Sequence, residues 1–351
     1  MIQMRHILFI VGLSAAIVAA TALAQSSKPG PYKIVKNVKV GGPGGWDYVN
    51  IDLDARRLYI ARRDQTLAHL TLYDLDTLQA AGEVPMVSAH GAVVDAKSGH
   101  GIASSKPITM FDRKTLQVIK KIDVMGNPDG LMLDPFNRRV HVLSHQMPYD
   151  TVIDPVEGTV IGTIDLGGQP EQAASDGNGT VYVDLEDKSA IAVVDAKTMT
   201  VTDKYDIAGS GGTCAGLALD AKNHILFATC RNPQNMVILN AKDGKIITTI
   251  PIGPNTDGAA FNPKTMEAFS SNGGDGTLTI VKENSPTSFV LEQNLQTKVG
   301  ARTMALDPKT NQIYLVTADF GPPPPASAEN KGRGGRGALL PDSFSILVVG
   351  K

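Results

Sequence analysis

Ser175-Asp176, Val181-Tyr182-Val183 and Ile191-Ala192-Val193-Val194-Asp195 follow one another closely in the chain, and their reading decides the fold. The runs are short, the second and third are rich in β-branched residues, and the first and third close in an Asp that opens a turn, as in Asp195-Ala196-Lys197-Thr198. Ahead of them, Thr159-Val160-Ile161-Gly162-Thr163-Ile164-Asp165-Leu166-Gly167 alternates and ends at Gly, another strand. The unit recurs. Ile51-Asp52, Val94-Asp95, Leu133-Asp134, Ser175-Asp176, Leu219-Asp220, Phe261-Asn262 and Leu306-Asp307 are its anchors, at steps of 43, 39, 42, 44, 42 and 45 residues. After most anchors comes a second apolar strand, such as Leu58-Tyr59-Ile60, Val140-His141-Val142, Ile225-Leu226-Phe227 or Ile313-Tyr314-Leu315.

Four antiparallel strands in about 42 residues is the signature of a propeller blade. No helical period lies between the strands, which excludes leucine-rich, ankyrin and HEAT solenoids. Seven anchors predict an all-β, seven-bladed β-propeller. The last repeat supplies only Thr303–Leu306, Gln312–Thr317 and Phe344–Val349. The missing outermost strand is at the other end, in Tyr32–Gly42, so the N-terminal strand is expected to close the last blade and leave no edge at the seam.

The stretch Gly126-Asn127-Pro128-Asp129-Gly130, followed by Leu133-Asp134-Pro135, resembles the YncE-like, YVTN-type β-propeller repeat family. Val193-Val194-Asp195-Ala196-Lys197-Thr198 and Asp307-Pro308-Lys309-Thr310-Asn311-Gln312-Ile313-Tyr314 are similar to its third-strand and first-turn signatures. The resemblance spans essentially the whole chain after residue 24. The YVTN tetrapeptide itself is degenerate, as Tyr182-Val183-Asp184-Leu185 and Tyr314-Leu315-Val316-Thr317. The family's namesake has been linked to DNA binding, and similar propellers include lactonases, haem d1 proteins and partners of quinone-dependent oxidation. The resemblance therefore implies a fold and no single activity.

Arg5 and His6 precede an uncharged run from Ile7 to Leu23, and Ala22-Leu23-Ala24 stands before Gln25. This order predicts a secretory signal peptide over residues 1–24. Gly12, Ser14 and the small-residue cleavage site argue against a retained membrane anchor, and no Cys follows that could be acylated. Residues 25–351 then form a single domain that is expected to be periplasmic or secreted, with no membrane span after cleavage. The 33 basic residues against 35 acidic ones give no field for gathering nucleic acid, so DNA binding by family analogy is disfavoured. Gly 35 and Pro 21 make the chain turn-rich without making it disordered.

In a propeller the innermost strands line the central channel, and their starts meet at one face. Five residues before each anchor stand Asp47, His90, Asp129, Glu171, Ala215, Asp257 and Arg302. The next column holds Gly91, Gly130, Gly216 and Gly258, as expected where strands crowd an axis. Asp47, His90, Asp129, Glu171 and Asp257 are the candidate ligands for a divalent cation, calcium for carboxylates alone or a transition metal for a carboxylate–imidazole mixture. The competing reading is a solvated mouth whose charges balance Arg302. Loops on the same face add Arg62, Arg63, Lys106, His145, Glu186, Arg231 and Asn272. His145 and Arg231 are candidates for ligand contact. Trp46 and Tyr48 flank Asp47 and offer rings for stacking, or they cap the core.

No nucleophile elbow, C-x-x-C, C-x-x-C-H, H-E-x-x-H or Walker loop occurs. The expected function is a ligand- or partner-binding module, its partner an envelope protein or small polar ligand. The alternative is a metal-assisted hydrolase of the lactonase kind, so enzyme status stays open. Residues 320–343 of the last blade form a Pro- and Gly-rich insertion expected to be flexible, carrying Lys331, Arg333 and Arg336 on the mouth face. It is read as a lid, a polyanion contact or a passive loop. Cys214 and Cys230 are each eight residues from the centre of a hairpin turn near Lys222, which makes them cross-strand neighbours and predicts a disulfide.

Overall fold

A computed structural model describes residues 30–63, 69–85, 88–322 and 337–351. The predicted signal peptide and residues 323–336 of the insertion lie outside these. The described chain contains seven four-stranded antiparallel sheets and no helix, and is a seven-bladed β-propeller. From the inside outward, blade 1 runs through Gly45–Asp52, Arg57–Arg63, His69–Asp74 and Ala80–Val84. Blades 2 to 6 repeat the order, with innermost strands Ala89–Asp95, Pro128–Leu133, Pro170–Ser175, Cys214–Asp220 and Thr256–Asn262. Blade 7 is Met304–Asp307, Gln312–Thr317 and Ser345–Gly350, with Lys33–Lys39 outermost. That N-terminal strand pairs antiparallel with Ser345–Gly350, from Lys33 opposite Gly350 to Lys39 opposite Ser345. The ring is closed by first and last strands in one sheet.

The apolar face of each strand fixes the blade packing. Seven hydrophobic clusters form, one at each seam between neighbouring blades. Leu58, Ile60, Tyr314 and Ile346 fill the seam of blades 7 and 1, and Phe227, Ile238, Ala268 and Val281 that of blades 5 and 6. A fully buried Leu or Ile contributes about 1.5–3 kcal/mol, so these seams carry the stability of the ring.

The repeat anchors serve twice. Their carboxylates and amides cap the turn that follows: Asp52 Oδ1 accepts from Ala55 N at 3.0 Å, and Asp307 Oδ1 from Lys309 N at 3.0 Å. They also tie one blade to the next. Arg113 of blade 2 grips Asp52 of blade 1, Arg138 of blade 3 grips Asp95 of blade 2, and Ser175 Oγ of blade 4 donates to Asp134 of blade 3. Arg56 of blade 1 closes the circle on Asp307 of blade 7 at 2.8 Å.

Candidate functional site

At the opposite face, every innermost strand of blades 1 to 6 breaks its ladder with a bulge at the position that starts the channel. The register slips between Trp46 and Val49, Ala89 and Ala92, Pro128 and Leu131, Pro170 and Ala173, Cys214 and Gly216, and Thr256 and Ala259. Bulges re-aim side chains. Here the bulged residues are Asp47, His90, Asp129, Glu171, Ala215 and Asp257, the column read from the repeat. Two of the glycines beside them are dictated by backbone approach. A Cβ on Gly130 would lie 2.4 Å from the Glu171 carbonyl oxygen, and one on Gly216 only 2.8 Å from Ala259 N. Ser104 Oγ accepts from Gly91 N in blade 2, and Asp184 Oδ1 from Gln172 N in blade 4, so the neighbouring strand supplies partners for amides freed by the bulges.

Ion pairs at the mouth cross all seven seams, in a circle interrupted only within blade 4 between Glu171 and Glu186. His90 Nδ1 is 2.8 Å from Asp47 Oδ2 and 2.8 Å from Asp129 Oδ1, bridging blades 1, 2 and 3. His145 Nε2 lies 2.7 Å from Glu171 Oε2 and 3.7 Å from Asp129 Oδ2. Arg231 pairs with Glu186 at 2.7 Å and with Asp257, spanning the notch left by Ala215. Arg302 completes the circle, with Nε 2.9 Å from Asp257 Oδ2 and a terminal nitrogen 3.5 Å from Asp47 Oδ1. The Nε contact is an ion pair without hydrogen-bond alignment. Arg63, half exposed, adds a contact of 2.9 Å to Asp47 Oδ2.

Asp47, Asp129, Glu171 and Asp257 are all buried, and the pairing decides what that burial does to their protons. Burial alone would discharge His90, but its hydrogen bonds to Asp129 and Asp47 win and hold it at about 9. The Glu171 hydrogen bond holds His145 at about 9 against its own burial. Both imidazoles are therefore cations at neutral pH. Burial pushes Asp257 up to about 7 in spite of Arg302 and Arg231. Burial and the nearby Glu171 likewise raise Glu186.

The channel is crossed beneath this ring. The Tyr48 hydroxyl reaches Glu171 Oε1 at 3.2 Å, and the Gln172 amide donates to the Asp257 carbonyl oxygen at 3.2 Å. Tyr48, Gln172, Glu171, Asn50, Leu131 and Leu217 are among the residues lining a cavity of about 190 Å³ there.

The structure thus gathers Asp47, His90, Asp129, Glu171, Asp257, Arg302, His145 and Arg231 at one mouth. Two sets of donor atoms converge to within 4.8 Å of each other: Asp47, His90 and Asp129, and Asp129, His145 and Glu171. Asp257 joins neither set and stands between two guanidiniums. Trp46 does not reach the mouth. Strand alternation turns its ring away from Asp47 into the core of blades 7 and 1, where it is buried 5.5 Å from Phe344. Arg62 is a structural cation, stacked 3.7 Å over Phe344 and donating to the Pro43 carbonyl at 2.6 Å. Asn272 is buried among Thr277 and Thr279, and His141 pairs with buried Asp150 at 2.7 Å. Gln172, the bulges and the Asp184 support have no signature in the repeat, whereas Arg63 and Glu186 follow from the loop positions.

Cys214 and Cys230 stand opposite each other and form a disulfide, with Cα atoms 3.7 Å apart. The base of the insertion is a short ladder in which Phe320 bridges Leu339 and packs 6.3 Å from Trp46.

No family model matches the chain, and no curated protein matches it. Among solved structures it is similar to the Kuenenia stuttgartiensis hydrazine synthase, at 17% identity and a TM-score of 0.67, over 79% of this chain and 94% of that one. It is similar to a chain of a mitotic checkpoint complex at 11% identity and a TM-score of 0.69, over 96% and 99% of the two chains. It also matches the Myceliophteria thermophila Cps50 (Swd1) β-propeller domain at 13% identity and a TM-score of 0.65, over 91% and 99%. At such identities the likeness shows the seven-bladed propeller fold alone.

Proposed function

We propose that this protein is an exported binding module that holds a divalent transition cation at its channel mouth through Asp129, His145 and Glu171, and uses that centre to recognise a small polar ligand or an envelope partner. The observation that carries this reading is the convergence of two buried carboxylates and one imidazole on a single space at the axis. An imidazole among carboxylates favours zinc or manganese over calcium, which takes oxygen ligands. Tyr48 on the free oxygen of Glu171 is the outer hydrogen bond that orients such a ligand. In the state described, the His145 imidazolium faces both carboxylates, and a cation would replace its proton. Export is supported by the predicted signal peptide and by the disulfide, which an oxidising compartment preserves.

Isothermal calorimetry of the mature protein with zinc, manganese and calcium tests the reading. Binding of zinc or manganese that is lost in Asp129→Asn and His145→Ala is expected. No binding, or equal affinity in wild type and variants, would overturn it.

A hydrolase of the lactonase kind is favoured by one observation, the buried Asp257 carboxyl held at about 7 beside two guanidiniums. That is the poise of a general base near neutral pH. Esterase or lactonase turnover lost in both Asp129→Ala and Asp257→Asn would establish it, and a metal-loaded protein inert on such substrates would not.

A further inference from the structure

We propose that the mouth is a dinuclear centre in which Asp129 bridges two divalent cations, the second of them held by Asp47 and His90. The inference rests on the cation reading above and extends it. Asp129 is the sole residue common to the two converging donor sets, and its two oxygens face different imidazoles. Oδ1 faces His90 Nδ1 at 2.8 Å, and Oδ2 faces His145 Nε2 at 3.7 Å. A single carboxylate spanning two sites in this way sets cations at the spacing of two-metal centres, about 3.5–4 Å. The terminal pairs match as well. Neighbouring donors on one octahedral ion with bonds of about 2.1 Å lie roughly 3 Å apart. Asp47 Oδ2 and His90 Nδ1 are 2.8 Å apart, and His145 Nε2 and Glu171 Oε2 2.7 Å.

Each terminal carboxylate is also steadied from outside the donor set. Tyr48 holds Glu171 through Oε1, and Arg302 approaches Asp47 through Oδ1, so Oε2 and Oδ2 are the oxygens turned inward. The two halves differ in one respect. Arg63 places a terminal nitrogen 2.9 Å from Asp47 Oδ2 and 3.3 Å from His90 Nδ1, which is the position a second cation would take. The guanidinium is half exposed. It stands in for the second ion, so the Asp47–His90 half binds more weakly than the Glu171–His145 half.

Manganese is the probe, titrated into the mature full chain by calorimetry and read in parallel by electron paramagnetic resonance. Two manganese ions per chain with an exchange-coupled signal are expected. Arg63→Gln should tighten the weaker site about tenfold and leave the stronger unchanged, with thermal melting confirming that the variant is folded. One ion per chain, uncoupled and indifferent to Arg63→Gln, would overturn the dinuclear centre and leave the mononuclear site standing. No manganese at all in wild type would overturn the dinuclear centre, and the absence of zinc binding as well would overturn the mononuclear site.

Discussion

The Tyr48 hydroxyl meets Glu171 Oε1 at 3.2 Å, tying blade 1 to blade 4 across the axis. Four blades carry Gly in the column that Tyr48 occupies, and at Gly130 and Gly216 a side chain would collide with the backbone of the next blade. Tyr48 escapes by lying into the channel, where burial and the surrounding carboxylates push its phenol well above the ordinary range, so it remains a donor. Removing that donor in Tyr48→Phe should cost about 1 kcal/mol of stability. Cation affinity should fall about 10-fold or more, as for other outer hydrogen bonds to a metal ligand. Calorimetry on the folded variant decides it: unchanged affinity would separate the phenol from the site.

Arg56 and Asp307 make the seam of blades 7 and 1 sensitive to acid. Burial works against the Asp307 charge, but hydrogen bonds from Arg56 and Thr310 and from Lys309 N hold its carboxyl below the usual range. A depressed native pKa stabilises the fold above the unfolded value of about 3.9 and loses that contribution as pH falls below it. Urea denaturation between pH 7 and pH 3 should therefore show a drop in the acid limb that Arg56→Ala flattens. At pH 7 the variant should be less stable by about 2–3 kcal/mol, since it leaves a buried carboxylate with fewer partners. Identical acid limbs in the two proteins would remove the pair from the account.

The repeat made the ring of Asp47, His90, Asp129, Glu171, Asp257 and Arg302 legible because blade geometry is a period, and a period survives in composition. Gly130 and its equivalents added the crowding at the axis. What composition does not carry is the local path of the backbone. The bulge at Asp129 and Gly130 arises because Pro128 pairs with Ser144 and Leu131 with Val142 in the neighbouring strand, and no residue within the innermost strand announces it. Trp46 shows the same limit. Its place beside Asp47 suggested a shared face, yet successive residues on a strand point to opposite sides, and Phe344, far along the chain, supplied the surface that received it. Partner choice within the mouth was also hidden, because which carboxylate meets Arg231 depends on the twist between blades.

Cys214 and Cys230 enclose a hairpin already held by pairs such as Leu217 with Ala228 and Leu219 with Leu226. The loop-entropy value of about 3 kcal/mol for a span of this size is therefore an upper bound. A double variant, Cys214→Ala with Cys230→Ala, should lose about 1–2 kcal/mol by chemical denaturation and keep its cation affinity. Mass spectrometry of the unreduced wild type checks the bond directly. Two free thiols after purification in air would contradict it.

The ring's closure depends on Lys33–Lys39, and a small polar knot pins the chain just before it. The Tyr32 hydroxyl and Lys351 Nζ both bind the buried carboxylate of Glu267, the latter at 2.7 Å, while Gln293 exchanges two hydrogen bonds with the Tyr32 backbone at 2.9 Å. The start of the outermost strand and the end of Ser345–Gly350 thus anchor together to blade 6. Losing Lys351 removes one partner from a buried charge, and Lys351→Ala should cost about 1–3 kcal/mol without changing the fold. Losing the strand is different in kind. Deleting residues 30–39 uncovers the wholly buried Ser345–Gly350 as an unpaired edge, a template for pairing with another chain. The truncated protein should unfold non-cooperatively and elute as aggregate on size-exclusion chromatography, whereas Lys351→Ala should elute as wild type. A truncation that melts cooperatively at the wild-type temperature would show that the ring closes without its clasp.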